Sequence, residues 1–96
     1  MKTLISIIVP AYNEEKNIEA LFIAAVETLR QVSDQYDFEM IFIDDGSLDG
    51  TGEVIQKIMA KDQRVQFIEF SRNFGKEMAT SAGLDVANGE AAIMID

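Results

Sequence analysis

The sequence contains no cysteine and no histidine. That excludes disulfides, zinc sites of the Cys/His type, and Ser-His or Cys-His nucleophiles built from these residues. Tryptophan is absent and proline occurs once. Cations are scarce: 8 Lys and Arg stand against 17 Asp and Glu, for a net charge of −9. Such a balance opposes binding to a nucleic-acid backbone or an anionic membrane surface, so no nucleic-acid partner is expected, and a phosphate ligand would need a local cation or a metal. Nor does any apolar run approach the ~20 residues that span a bilayer, so the chain is expected to be soluble. The opening "MKTLISIIVPAYNEE" pairs a basic residue with a short apolar run but has no small-residue cleavage site, and reads as a buried strand rather than a signal peptide.

What is present suits one small globular domain: 96 residues, 48% hydrophobic and 26% charged. Leu4 to Val9 is an almost unbroken Ile/Val-rich run, as expected of a strand covered on both faces, and Pro10 should end it. From Glu14 the period becomes helical, with Ile18, Leu21, Phe22, Ala25, Leu29 and Val32 on one face and Glu14, Glu15 and Glu19 in the first turns. Phe38 to Ile43 is a second apolar strand, followed by the turn cluster "DDGSLDGTG". A short helix should bury Val54, Ile55, Ile58 and Met59. "VQFIEF", Val65 to Phe70, reads as a third strand. Phe74, Met78, Ala82 and Val86 recur every fourth residue in a third helix, in which Gly83 allows close packing and Asn88-Gly89 closes the element. "AAIMI" is a fourth strand ending on Asp96.

Strands alternating with helices predict an α/β fold, β-α-β-α-β-α-β, with an open, Rossmann-like parallel sheet. Right-handed crossovers suggest strand order 3-2-1-4. Ligands of such sheets sit beyond the carboxyl ends of the strands, where "PAYNEE", "DDGS" and Asp96 fall. Asp44 and Asp45 are adjacent on a strand and so should point to opposite faces and do different work. One can accept a hydrogen bond from a bound base or sugar while the other caps the turn, with Gly46 and Ser47 bending the backbone. Capping and solubilising the loop is the plainer role open to both, but their place at the end of a buried central strand favours a ligand.

Four stretches, "VPAYNEEKNI", "IFIDDGSLDGT", "SRNFGKEMATSAGLDVANGE" and "AAIMID", together resemble the start of a family 2 glycosyltransferase. They are most similar to the branch of dolichyl-phosphate mannosyltransferases and bacterial polyisoprenyl-phosphate glycosyltransferases. The resemblance runs the whole chain in order. It implies the N-terminal, nucleotide-sugar-binding half of a GT-A fold over residues 1–96, cut at the metal motif. Carried over by motif, Pro10, Ala11, Tyr12 and Glu14 would line the base and ribose pocket. Asp45 would accept from the base, since a carboxylate can read an N–H of uracil or guanine, and Asp44 would belong to the turn. On local grounds Tyr12 reads equally as a loop aromatic packed on the first helix, and Glu14 as a helix N-terminal acid.

Arg72 and Lys76 flank the start of the third helix, where free N–H groups and the dipole favour an anion, and are the leading cations for a diphosphate. A solvated charge pair is the alternative. The resemblance further implies an Asp-x-Asp motif holding Mg²⁺ or Mn²⁺, of which Asp96 matches the first acid; the second would fall two positions later, beyond the sequence. Acceptor-binding and catalytic groups follow that motif in the family, so no catalytic residue is assigned and no turnover is expected of these residues alone. The whole enzyme would transfer a sugar from a UDP- or GDP-sugar to a lipid phosphate, such as a polyprenyl phosphate, or to a glycan hydroxyl. It would act in the cytoplasm or on the cytoplasmic face of a membrane. A receiver-like regulatory module also gathers acids at strand ends, but it would need an acidic pair where "PAYNEE" stands. The fourth strand is expected to offer an apolar edge for self-association.

Overall fold

The computed structural model describes residues 2–95. Seven elements alternate along the chain: β1 (Thr3–Ala11), α1 (Ile18–Arg30), β2 (Tyr36–Asp44), α2 (Thr51–Lys61), β3 (Val65–Glu69), α3 (Lys76–Val86) and β4 (Ala91–Met94). The strands form one parallel sheet in the order β3-β2-β1-β4, as the crossover rule predicts. Chain direction reverses its lateral course once, after β3, so α3 crosses the face opposite to α1 and α2. Two apolar layers result. Ile7, Val9, Phe38, Met40 and Phe42 pack against α1 and α2, while Ile8, Ile41 and Ile43 meet Ala79 of α3. The period of two along β1 and β2 divides the side chains between these layers.

Several boundaries differ from expectation for identifiable reasons. Pro10 does not end β1, which runs on to Ala11. Ile8 O accepts from Ile95 N on the β4 side and Ala11 O accepts from Asp45 N on the β2 side. Alternation therefore puts Pro10 on the β4 side, past Ile8↔Met94, the last β1–β4 pair, where its missing N–H interrupts no described ladder bond. The first helix starts at Ile18 rather than Glu14, because Glu14 to Asn17 form a turn in which Asn17 N and Ile18 N both donate to Glu14 O. Val32 lies beyond its end. Met59 is 39% exposed in α2, and β3 stops at Glu69.

The largest correction concerns α3. Gly83 is buried, as its expected close packing requires, and so is Ala79, whereas Met78 and Val86 of the expected apolar face are exposed and Phe74, also exposed, precedes the helix. A Cβ on Gly83 would lie 2.6 Å from Ile8 Cγ2 and 2.8 Å from Ile43 Cδ1. Small residues bring this helix against the sheet, so its contact face is marked by lack of side chain, not by bulk. At the other edge, every residue of β4 is exposed. No helix among the described residues is long and apolar enough to cross a membrane.

Candidate functional site

The carboxyl ends of β1 and β2 carry the polar motifs, and their loops are tied together. Asn13 adopts φ 53°, a left-handed conformation that Asn tolerates better than most residues. The chain thereby turns so that Asn13 N donates to Ser47 Oγ at 2.9 Å and Leu48 N donates to Asn13 Oδ1 at 2.8 Å. Glu14 N donates to Thr51 Oγ1 at 2.9 Å, and Gly50 N to Glu15 Oε1 at 2.9 Å. Thr51 Oγ1 in turn donates to Asp49 Oδ1, and this bond is the chief cause of an Asp49 pKa below the ordinary value. Glu14 and Glu15 thus work as loop fasteners and do not sit inside a helix.

Asp44 and Asp45 are both 4% exposed and, as expected of strand neighbours, they serve different partners. Asp44 Oδ1 accepts from Ser47 N at 2.9 Å, closing the turn, and a Cβ on Gly52 would lie 2.9 Å from its Oδ2. The carboxylate therefore stands over the first turn of α2, where the helix dipole favours an anion. Asp45 reaches the other way. Its Oδ1 accepts from Phe74 N at 2.8 Å, and its Oδ2 accepts from Gly75 N at 3.0 Å and Asn73 Nδ2 at 3.2 Å. A carboxylate offers about four lone-pair positions, so Asp45 has one left after clamping the β3–α3 loop.

Pro10, Ala11, Tyr12, Glu14, Asp45 and Lys76 line one cavity of about 190 Å³. Arg72 is not part of that wall. It lines a larger cleft of about 590 Å³ together with Tyr12, Asp44, Ser47 and Asn73, and Tyr12 is common to both. The Arg72 guanidinium lies 4.8 Å from the Phe74 ring centroid, a cation–π contact that holds the side chain over the loop. Phe74 meets Phe70 edge-on at 5.5 Å. Lys76 opens α3. Asp96, the expected metal ligand, lies outside the described residues. Among the described residues no three acids converge on a point that could hold an ion. Asn13, Ser47 and Asn73 belong to the site as well. An Asn two residues past the end of an apolar strand was the available signal for the first, whereas nothing local marks Asn73.

A further cleft of about 420 Å³ lies near the amino ends of β1 and β2. Its cations are already matched: Lys2 with Asp37 at 3.8 Å, Arg30 with Glu27 at 3.5 Å and Arg64 with Asp62 at 2.7 Å. It lacks the carboxyl-end loops and so stands apart from the site.

The solved structures most like this fold include S. aureus TarS 1-349 in complex with UDP, at TM-score 0.79 and 28% identity over 100% of this chain and 27% of that one. The mannosyltransferase PcManGT from Pyrobaculum calidifontis, in complex with GDP-Man and Mn²⁺, matches at TM-score 0.69 and 27% identity, over 94% of this chain and 26% of its own. Among curated proteins, the bactoprenol glucosyl transferase of Shigella phage SfV is 43% identical over 94 residues, 96% of this chain and 29% of that protein. The chain spans less than a third of the length of the curated relatives it matches. The family model described as "Glycosyl transferase family 2" matches residues 6–96, from within β1 onward. With the GT-A architecture of its neighbours, this match shows that the chain belongs to glycosyl transferase family 2.

Proposed function

We propose that residues 1–96 are the donor-binding half of an enzyme that transfers a sugar from a UDP- or GDP-sugar to a polyprenyl phosphate. The observation that carries this reading is the gathering of Pro10, Ala11, Tyr12, Glu14, Asp45 and Lys76 around one cavity at the carboxyl ends of the strands. There the Tyr12 ring offers a face to a base, Asp45 keeps one acceptor position for a base N–H, and Lys76, with Arg72 from the adjoining cleft, supplies positive charge for a diphosphate. The lipid-phosphate acceptor is supported by the bactoprenol-linked relative. Such an acceptor would bring the enzyme to the cytoplasmic face of a membrane.

The donor set available for a cation is carboxylate oxygen without imidazole or thiolate, which suits Mg²⁺ or Mn²⁺. Asp96 would hold it. A divalent cation bound there would neutralise charge on the nucleotide-diphosphate leaving group. The chain's own part is to bind and orient the nucleotide.

Amide NMR titration with UDP and with GDP, each with and without Mg²⁺, tests the reading. Saturable shifts at Tyr12, Asp45 and Arg72 that favour one nucleotide are expected, and spectra indifferent to both would refute it for this chain. A receiver-like module would instead show Asp45 phosphorylated by a small-molecule phosphodonor. That outcome is disfavoured, since the Asp45 carboxylate is committed to three donors of its own chain.

We also propose that β4 pairs with β4 of a second copy. Its four residues are exposed, none is charged or proline, and Ile93 and Ile95 continue into an apolar groove against Leu21 and Leu29 of α1. Sedimentation equilibrium should show association that grows with concentration. A clean monomer at high concentration would contradict it.

A further inference from the structure

Glu39 is an ionisable side chain only 7% exposed, on the α3 face of β2 and toward the amino end of that strand. The donor site, at the other end, makes no use of it. Its Oε2 accepts from Ser6 Oγ at 2.5 Å and from Asn88 N at 2.6 Å. Its Oε1 accepts from Gln66 Nε2 at 2.9 Å and, at 3.4 Å, from Asn88 Nδ2. Ser6 Oγ passes the arrangement on by accepting from Gly89 N at 2.8 Å. Gly89 is held so closely that a Cβ would stand 2.5 Å from Ser6 Oγ and 2.6 Å from Ser6 N. Glu90 N then donates to Leu4 O at 2.8 Å, and β4 begins. Burial acts to raise the Glu39 pKa, but the bonds from Ser6, Asn88 and Gly89 outweigh it and hold the carboxyl below its ordinary value.

A charge in this place is costly unless it secures something an apolar residue would not. What β4 lacks elsewhere indicates what is secured. Strand register is strongly specified when one face is buried, because a slip of one residue would expose the buried set. All of Ala91 to Met94 are exposed, and within the described residues β4 pairs with β1 alone. Only Ile93, itself exposed, and Ile95 rest against the α1 face, so burial discriminates weakly between Ile8↔Met94 and a neighbouring register. The bonds at the entry of the strand are independent of which face is buried, and they fix where Asn88 and Gly89 sit.

We infer that Glu39, with Ser6, is a positioning residue that sets the register of β4 and so delivers its carboxyl end, at Ile95, to the donor site. The register half of this inference stands alone, while delivery rests on the donor-binding reading. A slip by one residue would move the strand end by about 3.3 Å along the sheet.

Glu39→Gln keeps the size of the side chain but removes the charge that strengthens the bonds from Ser6 Oγ and Asn88 N, and obliges the Gln66 and Asn88 side-chain amides to turn over. In it, hydrogen exchange at Glu90 and Ile95, whose amides bond to β1, should speed at least tenfold relative to Met40, whose amide bonds to Arg64 O between β2 and β3. Nuclear Overhauser contacts between Ile95 and Ile8 should weaken. Ser6→Ala, which removes only the relay hydroxyl, should give the same selective pattern on a smaller scale and guards against a Glu39→Gln chain that does not fold. Where UDP shifts Tyr12 and Ile95 in the unaltered chain, Glu39→Gln should keep the first shift and lose the second. Equal acceleration at Met40, or an unchanged Ile95, would overturn the positioning role. A UDP shift at Ile95 that survives the loss of register would overturn delivery. If UDP shifts nothing in the unaltered chain, the donor reading and delivery fall together, and the exchange arm still decides the register.

Discussion

Replacing Asp45 by alanine is expected to weaken nucleotide binding at least tenfold and to release the loop between β3 and α3 from the end of β2. The carboxylate is the common acceptor for Phe74 N, Gly75 N and Asn73 Nδ2, so a single change removes three bonds. Bonds to a charged group are worth ~1.5–3 kcal/mol each when buried, but Asn73 and Phe74 are exposed and water will replace part of the loss. A stability decrease of about 2 kcal/mol in urea unfolding is therefore expected. The effect on binding should be larger than that figure suggests, because Arg72 and Lys76 are presented by the released segment. Asp45→Asn is a poor rescue. Its amide nitrogen would face either Phe74 N–H or the Gly75 and Asn73 donors, and an amide cannot accept on both sides. Loop amide shifts and nucleotide affinity both unaltered in Asp45→Ala would dispose of the clamp.

The sheet was legible in the sequence because it rests on long-wavelength signals. The Ile/Val-rich runs at Leu4 to Val9 and Phe38 to Ile43 exceed what a half-exposed strand needs, and the alternation with helical periods leaves few parallel topologies. The faces of α3 were legible only in part: Gly83 was expected to allow close packing, and a Cβ there would indeed lie 2.6 Å from Ile8 Cγ2. Periodicity counts large apolar residues, and it selected Phe74, Met78, Ala82 and Val86, while the helix in fact touches the sheet through Ala79 and Gly83. Close approach to Ile8 and Ile43 excludes bulk there, so the true contact stripe is nearly silent in a hydrophobicity pattern.

The site divides in the same way. Opposed roles for Asp44 and Asp45 follow from the pleat of a strand and need no tertiary information. The partners of Asp45 do not, since Phe74 and Gly75 lie far along the chain and donate through backbone N–H groups, which carry no residue signature. For the same reason Glu39 looked like one more acid in an acidic chain, and only its contacts with Ser6 and Asn88 set it apart.

Gly46→Ala is expected to cost about 3 kcal/mol or more and to undo the same loop from the opposite side. Gly46 has φ 70°, in the left-handed region, where a side chain costs ~1–2 kcal/mol. A Cβ there would also lie 2.2 Å from Arg72 C and 2.3 Å from Asn73 N. Both are backbone atoms, so no rotamer change gives relief and the loop itself must withdraw, at an overpacking cost of ~1–3 kcal/mol. Withdrawal stretches the bonds from Phe74 and Gly75 to Asp45, so stability, loop protection and nucleotide affinity should fall together. Gly75→Ala separates the two causes. Gly75 has φ 102°, but nothing lies within 4 Å of the Cβ it would carry, so that variant bears backbone strain without collision. Urea unfolding should therefore place Gly46→Ala below Gly75→Ala in stability, and hydrogen exchange at Phe74 should accelerate more in the former. Equal stabilities would mean that the end of β2 and the β3–α3 loop are not in close contact.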